Sequence, residues 1–138
     1  MRVKDRLNQY RWIVKTIEEM EDRLLEIDAK LEKVTTRLKH DVVQASMQAD
    51  KWGDLISLKC EIQDKINDRL RDSYTEMRYI ENMISVLPER ERLMMVYKYI
   101  DGKTWEEVAV AMNYTWQHMH RIHAECLDSL KHVIECEY

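Results

Sequence analysis

Leu87-Pro88-Glu89-Arg90-Glu91-Arg92, running on to Leu130-Lys131, decides the fold, because three short helical patterns follow one another there with sharp punctuation. Pro88 can open a helix, since the first helical position loses nothing by lacking an N–H. A helix from about Glu89 is expected to end at Gly102, where a left-handed backbone closes it cheaply. Thr104 reads as an N-cap with Glu107 three residues on, so each can satisfy an orphan backbone donor near the other. The second helix runs to about Met112. Asn113 suits a left-handed turn, and Thr115 can cap a third helix reaching about Val133. Leu93, Val96, Tyr97 and Ile100 on the first helix, Trp105, Val108, Ala109 and Met112 on the second, and Met119, Ile122, Cys126, Leu127 and Leu130 on the third form stripes at helical spacing. They can close one small core.

Two helices joined by about three residues, the second long and amphipathic, form the arrangement that lays a recognition helix into the major groove of double-stranded DNA. DNA is therefore the first partner to consider.

Leu87-Pro88-Glu89-Arg90-Glu91-Arg92, Tyr99-x-x-Gly102, Thr104-Trp105-Glu106-Glu107-Val108-Ala109 and Thr115-x-x-x-Met119-x-x-Ile122-x-x-x-Cys126-Leu127-x-x-Leu130-Lys131 resemble region 4 of the bacterial sigma-70 factors. More narrowly, the chain resembles small phage and prophage regulators of the ArpU and RinA type, which attach such a domain to a helical N-terminal half. The resemblance covers about residues 85 to 133 and implies a sequence-specific transcriptional regulator, an activator of phage or prophage genes in the cytoplasm of a bacterial host. It also implies that the first turns of the third helix face the bases, which here means Trp116, Gln117, His118, His120 and Arg121. Gln117 can read an adenine edge and Arg121 a guanine or a phosphate. Lys98, Lys103 and the helix start at Thr104 would hold the DNA backbone, the last through N–H groups and the positive end of the helix dipole. RNA polymerase is a further partner the family suggests.

Charge pulls against tight binding. From Pro88 to Tyr138 there are six Lys and Arg against nine Asp and Glu, a net of minus three with neutral histidines, whereas phosphate neutralisation supplies much of the free energy of nucleic-acid binding. His118, His120, His123 and His132 can add positive charge beside a polyanion, so binding is expected to depend steeply on salt and pH. The competing reading is an oligomeric scaffold or polymerase-binding adaptor that retains the fold and does not touch DNA.

With 138 residues, 35% of them charged, and only two glycines and one proline, the chain suits an all-α protein. No apolar run approaches a bilayer's thickness and Met1-Arg2-Val3-Lys4-Asp5-Arg6 lacks a hydrophobic signal core, which leads to the expectation of a cytoplasmic protein with no membrane contact. Cys60, Cys126 and Cys136 show neither disulfide-framework nor zinc-site spacing.

Tyr10, Ile13, Ile17, Met20, Leu24, Ile27, Leu31, Val34 and Leu38 recur in threes and fours, a heptad seam. The first helix is therefore long, about 60 Å for forty residues at about 1.5 Å each. A turn is expected near Gln48 to Gly53. The seam then resumes with Leu55, Ile62, Ile66, Leu70, Ser73, Met77, Ile80, Ile84 and Leu87, so the two helices can close as an antiparallel hairpin. Residues 1–86 thus read as a hairpin and 87–138 as the DNA-binding domain. A lone hairpin buries little surface, so a homo-oligomer through these helices is expected. No phosphate loop, nucleophile elbow or His-Glu-x-x-His motif occurs, and neither an enzyme nor a cofactor is expected. His120 and His123, with Glu125 or Cys126, have the spacing of a metal pair, which two histidines on one helix reach by accident as readily.

Overall fold

The computed structural model describes residues 2–40 and 45–136, and every regular element among them is helical. Helix α1 spans Val3–His40 and α2 spans Ala45–Ser85. Helix α3, Glu89–Met95, continues without a break into a π-helical turn, Val96–Ile100; α4 is Trp105–Met112 and α5 is Trp116–Cys136. No helix among the described residues is long and apolar enough to cross a membrane.

The expected turn at Gln48 to Gly53 does not form, because α2 already begins at Ala45 and runs through it. A helical glycine costs only about 1 kcal/mol relative to alanine, which a 41-residue helix absorbs. The connection between α1 and α2 lies outside the described residues.

The chain forms two compact units: Met1–Lys15 with Thr75–Tyr138, and Thr16–Tyr74. In the second unit the helices run antiparallel. Glu21 on α1 accepts a 2.7 Å hydrogen bond from the Tyr74 hydroxyl, whereas Asp28, further along α1, takes Gln63 and Lys59, earlier on α2, both at 3.1 Å. Ile17 and Met20 are buried there, and Leu24, Ile27, Leu31, Ile66 and Leu70 half-buried, as the heptad spacing requires. Leu55 and Ile62 of the predicted seam are exposed instead.

In the first unit the three short helices do not close a core alone. Leu7 and Tyr10 of α1 and Ile80, Met83 and Ile84 of α2 are buried in one cluster with Leu87, Met94, Met95, Tyr99, Val108, Met119, Cys126 and Leu130. At about 1.5 to 3 kcal/mol for each large apolar side chain taken out of water, the ends of the long helices supply a substantial share of this core. Arg6 reinforces the junction through a 2.8 Å ion pair with Glu76 and by lying 4.0 Å over the Tyr79 ring. The Tyr10 hydroxyl donates to Glu81 at 2.6 Å.

One core expectation fails. Leu93 is 42% exposed, and Met94, Met95 and Tyr99 are buried in its place. The cause is the π turn, in which the Asp101 N–H bonds back to the Val96 carbonyl at 2.9 Å. The wider turn lets residues five apart, Met94 and Tyr99, share one face, and unbranched methionines fill the uneven space this leaves.

Candidate nucleic-acid interface

The punctuation read from the sequence fixes the helix-turn-helix. Gly102 takes φ +73° and Asn113 φ +59°, the two left-handed positions of the described chain. Pro88 sits one residue before α3 as its N-cap, and its carbonyl accepts from the Arg92 N–H at 2.8 Å. The hydroxyl of Thr104 caps α4 by accepting from the Glu107 N–H, and that of Thr115 caps α5 by accepting from the His118 N–H, each at 3.3 Å. Glu106 and Glu107 lie in the first turn of α4, where carboxylates oppose the helix dipole favourably. Helix α5 continues three residues beyond the expected end, to Cys136.

The inner face of α5 carries Met119, His123, Cys126 and Leu130, all buried. Its leading turns leave Gln117 and Arg121 exposed, Trp116 at 50% exposure, and His118 and His120 half-buried. These five residues, expected to face bases, therefore share one end of one helix, and aromatic contacts hold three of them. Trp116 meets His120 edge-on at 4.4 Å between ring centroids, and His120 lies 5.3 Å from Trp105. Tyr114 sets its ring edge-on to His118 at 4.8 Å. The Arg121 guanidinium donates to Nδ1 of His118 at 2.9 Å. Because a guanidinium only donates, Nδ1 must carry the lone pair and the neutral imidazole holds its proton on Nε2.

Of the residues expected to hold phosphates, Thr104 is exposed and both lysines are half-buried. Lys98 Nζ lies 4.8 Å from the centre of the Trp105 ring and 3.5 Å from the Lys103 carbonyl; Lys103 Nζ lies 4.2 Å over Tyr97. Aromatic faces thus hold both ammonium groups beside the turn that enters α4. Tyr97, Trp105 and Tyr114 pack against the core rather than standing free to stack on bases.

His123, expected with the other histidines to add positive charge beside DNA, is instead buried in the core. It is 7% exposed, its Nε2 shares a 2.7 Å hydrogen bond with the Tyr99 hydroxyl, and Trp105 meets its ring edge-on at 4.6 Å. Burial, helped by the charges of Lys4, His120 and Lys98, lowers its pKa to about 4. The clue was its register, four residues after Met119 and three before Cys126. Burial also pushes the Tyr99 phenol and, with Glu91 and Glu125, the Cys126 thiol up to about 12. Among the described residues no cluster of His, Cys, Asp or Glu is arranged to hold a metal ion, and His123 is spoken for by Tyr99.

Residues 83–132 match the family model for Sigma-70, region 4. No curated protein and no solved structure matches the chain. Its C-terminal part is thus a sigma-70 region 4-like helix-turn-helix, a type of domain that binds DNA and RNA polymerase.

Proposed function

We propose that the protein is a sequence-specific transcriptional regulator, an activator of phage or prophage genes in the bacterial cytoplasm, which sets the leading turns of α5 into the major groove. The observation that carries this is the division of α5 between a buried face and an exposed end: Met119, His123, Cys126 and Leu130 anchor it, and Trp116, Gln117 and Arg121 stand clear. In this reading Gln117 reads an adenine, Arg121 a guanine or phosphate, and the Nε2–H of His118 donates to a base edge. Trp116 and His120 pack beside them, while Lys98, Lys103 and the N–H groups following Thr104 clamp the backbone.

The hairpin, in the same reading, joins two copies. Leu55, Leu58 and Ile62 follow one another at helical spacing on α2, with Leu58 at 53% exposure, and Leu25 of α1 is exposed in the same compact unit. The charges there alternate in sign, Arg23, Lys30, Lys65 and Arg69 against Glu26 and Asp68. A two-fold axis beside this stripe would bury it against the same stripe of a second copy. Two DNA-binding modules on one body then gain effective concentration at a repeated site.

Gel shifts on phage promoter fragments at two salt concentrations test the assignment. Wild type is expected to bind and to weaken steeply as salt rises, with Gln117→Ala and Arg121→Ala binding less tightly. Equal shifts by all three proteins would remove the base-reading roles. The net charge of minus three from Pro88 to Tyr138 favours a second reading, a polymerase-binding adaptor. Absence of any shift, together with capture of RNA polymerase, would establish it.

A further inference from the structure

The first turns of α1 change the electrostatics of the helix-turn-helix unit. Met1–Lys15 belongs to that unit and carries Arg2, Lys4, Arg6, Arg11 and Lys15 against Asp5 alone, a net charge of plus four. Glu76 takes up Arg6. Arg11 is placed differently. Its Nη1 donates to the Ile100 carbonyl at 3.0 Å, and its Nε and Cζ lie so near Gly102 that a Cβ built there would meet them at 3.0 and 3.2 Å. The exposed guanidinium is therefore laid along the turn that leads into α4, next to Lys103.

Residues 98–107 hold Lys98 and Lys103 against Asp101, Glu106 and Glu107, so the turn is net acidic by itself. The carboxylates offset part of what Lys98, Lys103 and the α4 N-terminus offer a phosphate, so a further cation there strengthens the site. We propose that Arg11 supplies it: the guanidinium is a phosphate contact of the DNA interface, contributed by the hairpin and completing a cluster with Lys98 and Lys103. A guanidinium has five N–H donors in a planar fork, so the bond to Ile100 leaves others with the geometry a phosphate oxygen prefers. Gly102 is suited by its positive φ, and a Cβ there would ask the Arg11 side chain to give by a few tenths of an ångström. The proposal rests on the DNA-binding reading of α5.

Phosphate contacts are independent of sequence, so a short mixed-sequence duplex is a sufficient probe for the full-length chain. Affinity would be measured across a salt series for wild type, Arg11→Gln and Arg11→Lys. The glutamine removes the charge, and its amide ends about where the arginine Nε lies, short of the Ile100 carbonyl that Nη1 reaches, so a thermal melt of each variant accompanies the titrations. Arg11→Gln is expected to bind several-fold more weakly at low salt, with a log–log salt slope shallower by about 0.9, the value of one lost phosphate contact, while Arg11→Lys keeps the wild-type slope. Equal slopes for wild type and Arg11→Gln would overturn the proposal and leave the DNA reading standing. A wild type that fails to bind the duplex at low salt would overturn both. Should Arg11→Gln not fold, mapping an arginine-modifying reagent on the wild-type complex decides instead: DNA is expected to protect Arg11, and undiminished modification would refute its role.

Discussion

The hydroxyl of Tyr99 and Nε2 of His123 lie 2.7 Å apart inside the C-terminal core and join the π-helical turn to α5. Burial disfavours the charged ring and lowers the His123 pKa from 6.5 to about 4. Above about pH 6.5 this histidine is uncharged whether the chain is folded or not, and it adds no pH dependence. As pH falls below that value the unfolded chain takes up a proton that the folded chain refuses, so stability is lost progressively down to about pH 4. The loss at pH 5 is expected to be about 2 kcal/mol. Urea unfolding at pH 7.5 and pH 5 measures it, and His123→Gln should flatten the difference. An unchanged pH dependence in that variant would place the acid sensitivity elsewhere.

The same pair illustrates how far the sequence could be read. Turns, caps and helix order were legible from Gly102, Thr104, Asn113 and Thr115, because each imposes a local backbone or hydrogen-bond requirement that depends little on the rest of the fold. The exposed end of α5 followed from that order together with the resemblance to region 4. Burial of Met94 and Met95 in place of Leu93 was not legible, since a π turn changes the helical period and nothing local announces it. Equally hidden were the sharing of the core with Leu7, Tyr10, Ile80 and Ile84, and the placement of Arg11 on the Ile100 carbonyl. The contacts of Tyr10 with Glu81 and of Arg11 with Ile100 join residues 71 and 89 positions apart, where only the folded chain decides which neighbours meet.

Gly102→Ala tests the turn before α4. At φ +73° an alanine is strained, and its methyl group would press on the Arg11 guanidinium. A left-handed non-glycine residue costs about 1 to 2 kcal/mol, and thermal unfolding should show a loss of that size. No loss would mean that the turn can rearrange without glycine.

Ala109→Leu tests the approach of α4 to its neighbours. Ala109 is half-buried against the core, and its carbonyl accepts the Tyr114 N–H at 3.0 Å where the chain turns toward α5. A larger side chain there is expected to cost about 1 to 3 kcal/mol by overpacking, read as a lowered denaturant midpoint. Unchanged stability would contradict the packing of the two helices.

Thiol reactivity separates Cys126 from Cys60. Cys126 is buried with its pKa pushed up to about 12, whereas Cys60 is exposed. Since the thiolate is the nucleophile, iodoacetamide at pH 8 should label Cys60 rapidly and Cys126 only as the unit opens. The measurement uses Cys136→Ser, so that mass spectrometry of tryptic peptides follows these two thiols. Labelling of both at one rate would show that the core around Cys126 opens freely.

Leu58 gives the assembly prediction its test. A Leu58→Lys substitution places a charge in the middle of the Leu55–Ile62 stripe but leaves the buried Ile17 and Met20 of the same unit untouched. A monomer should tolerate it within about 0.5 kcal/mol, as exposed sites usually do. A dimer that buries the stripe must either desolvate the new ammonium group or come apart, so sedimentation equilibrium should show the weight-average mass falling toward that of one chain. Affinity for a single half-site should then hold, while affinity for a paired site drops toward it, because only the effective concentration of the second module has been removed. Wild-type protein that sediments as a monomer at micromolar concentration would instead assign the stripe to a different partner and leave the helix-turn-helix to act singly.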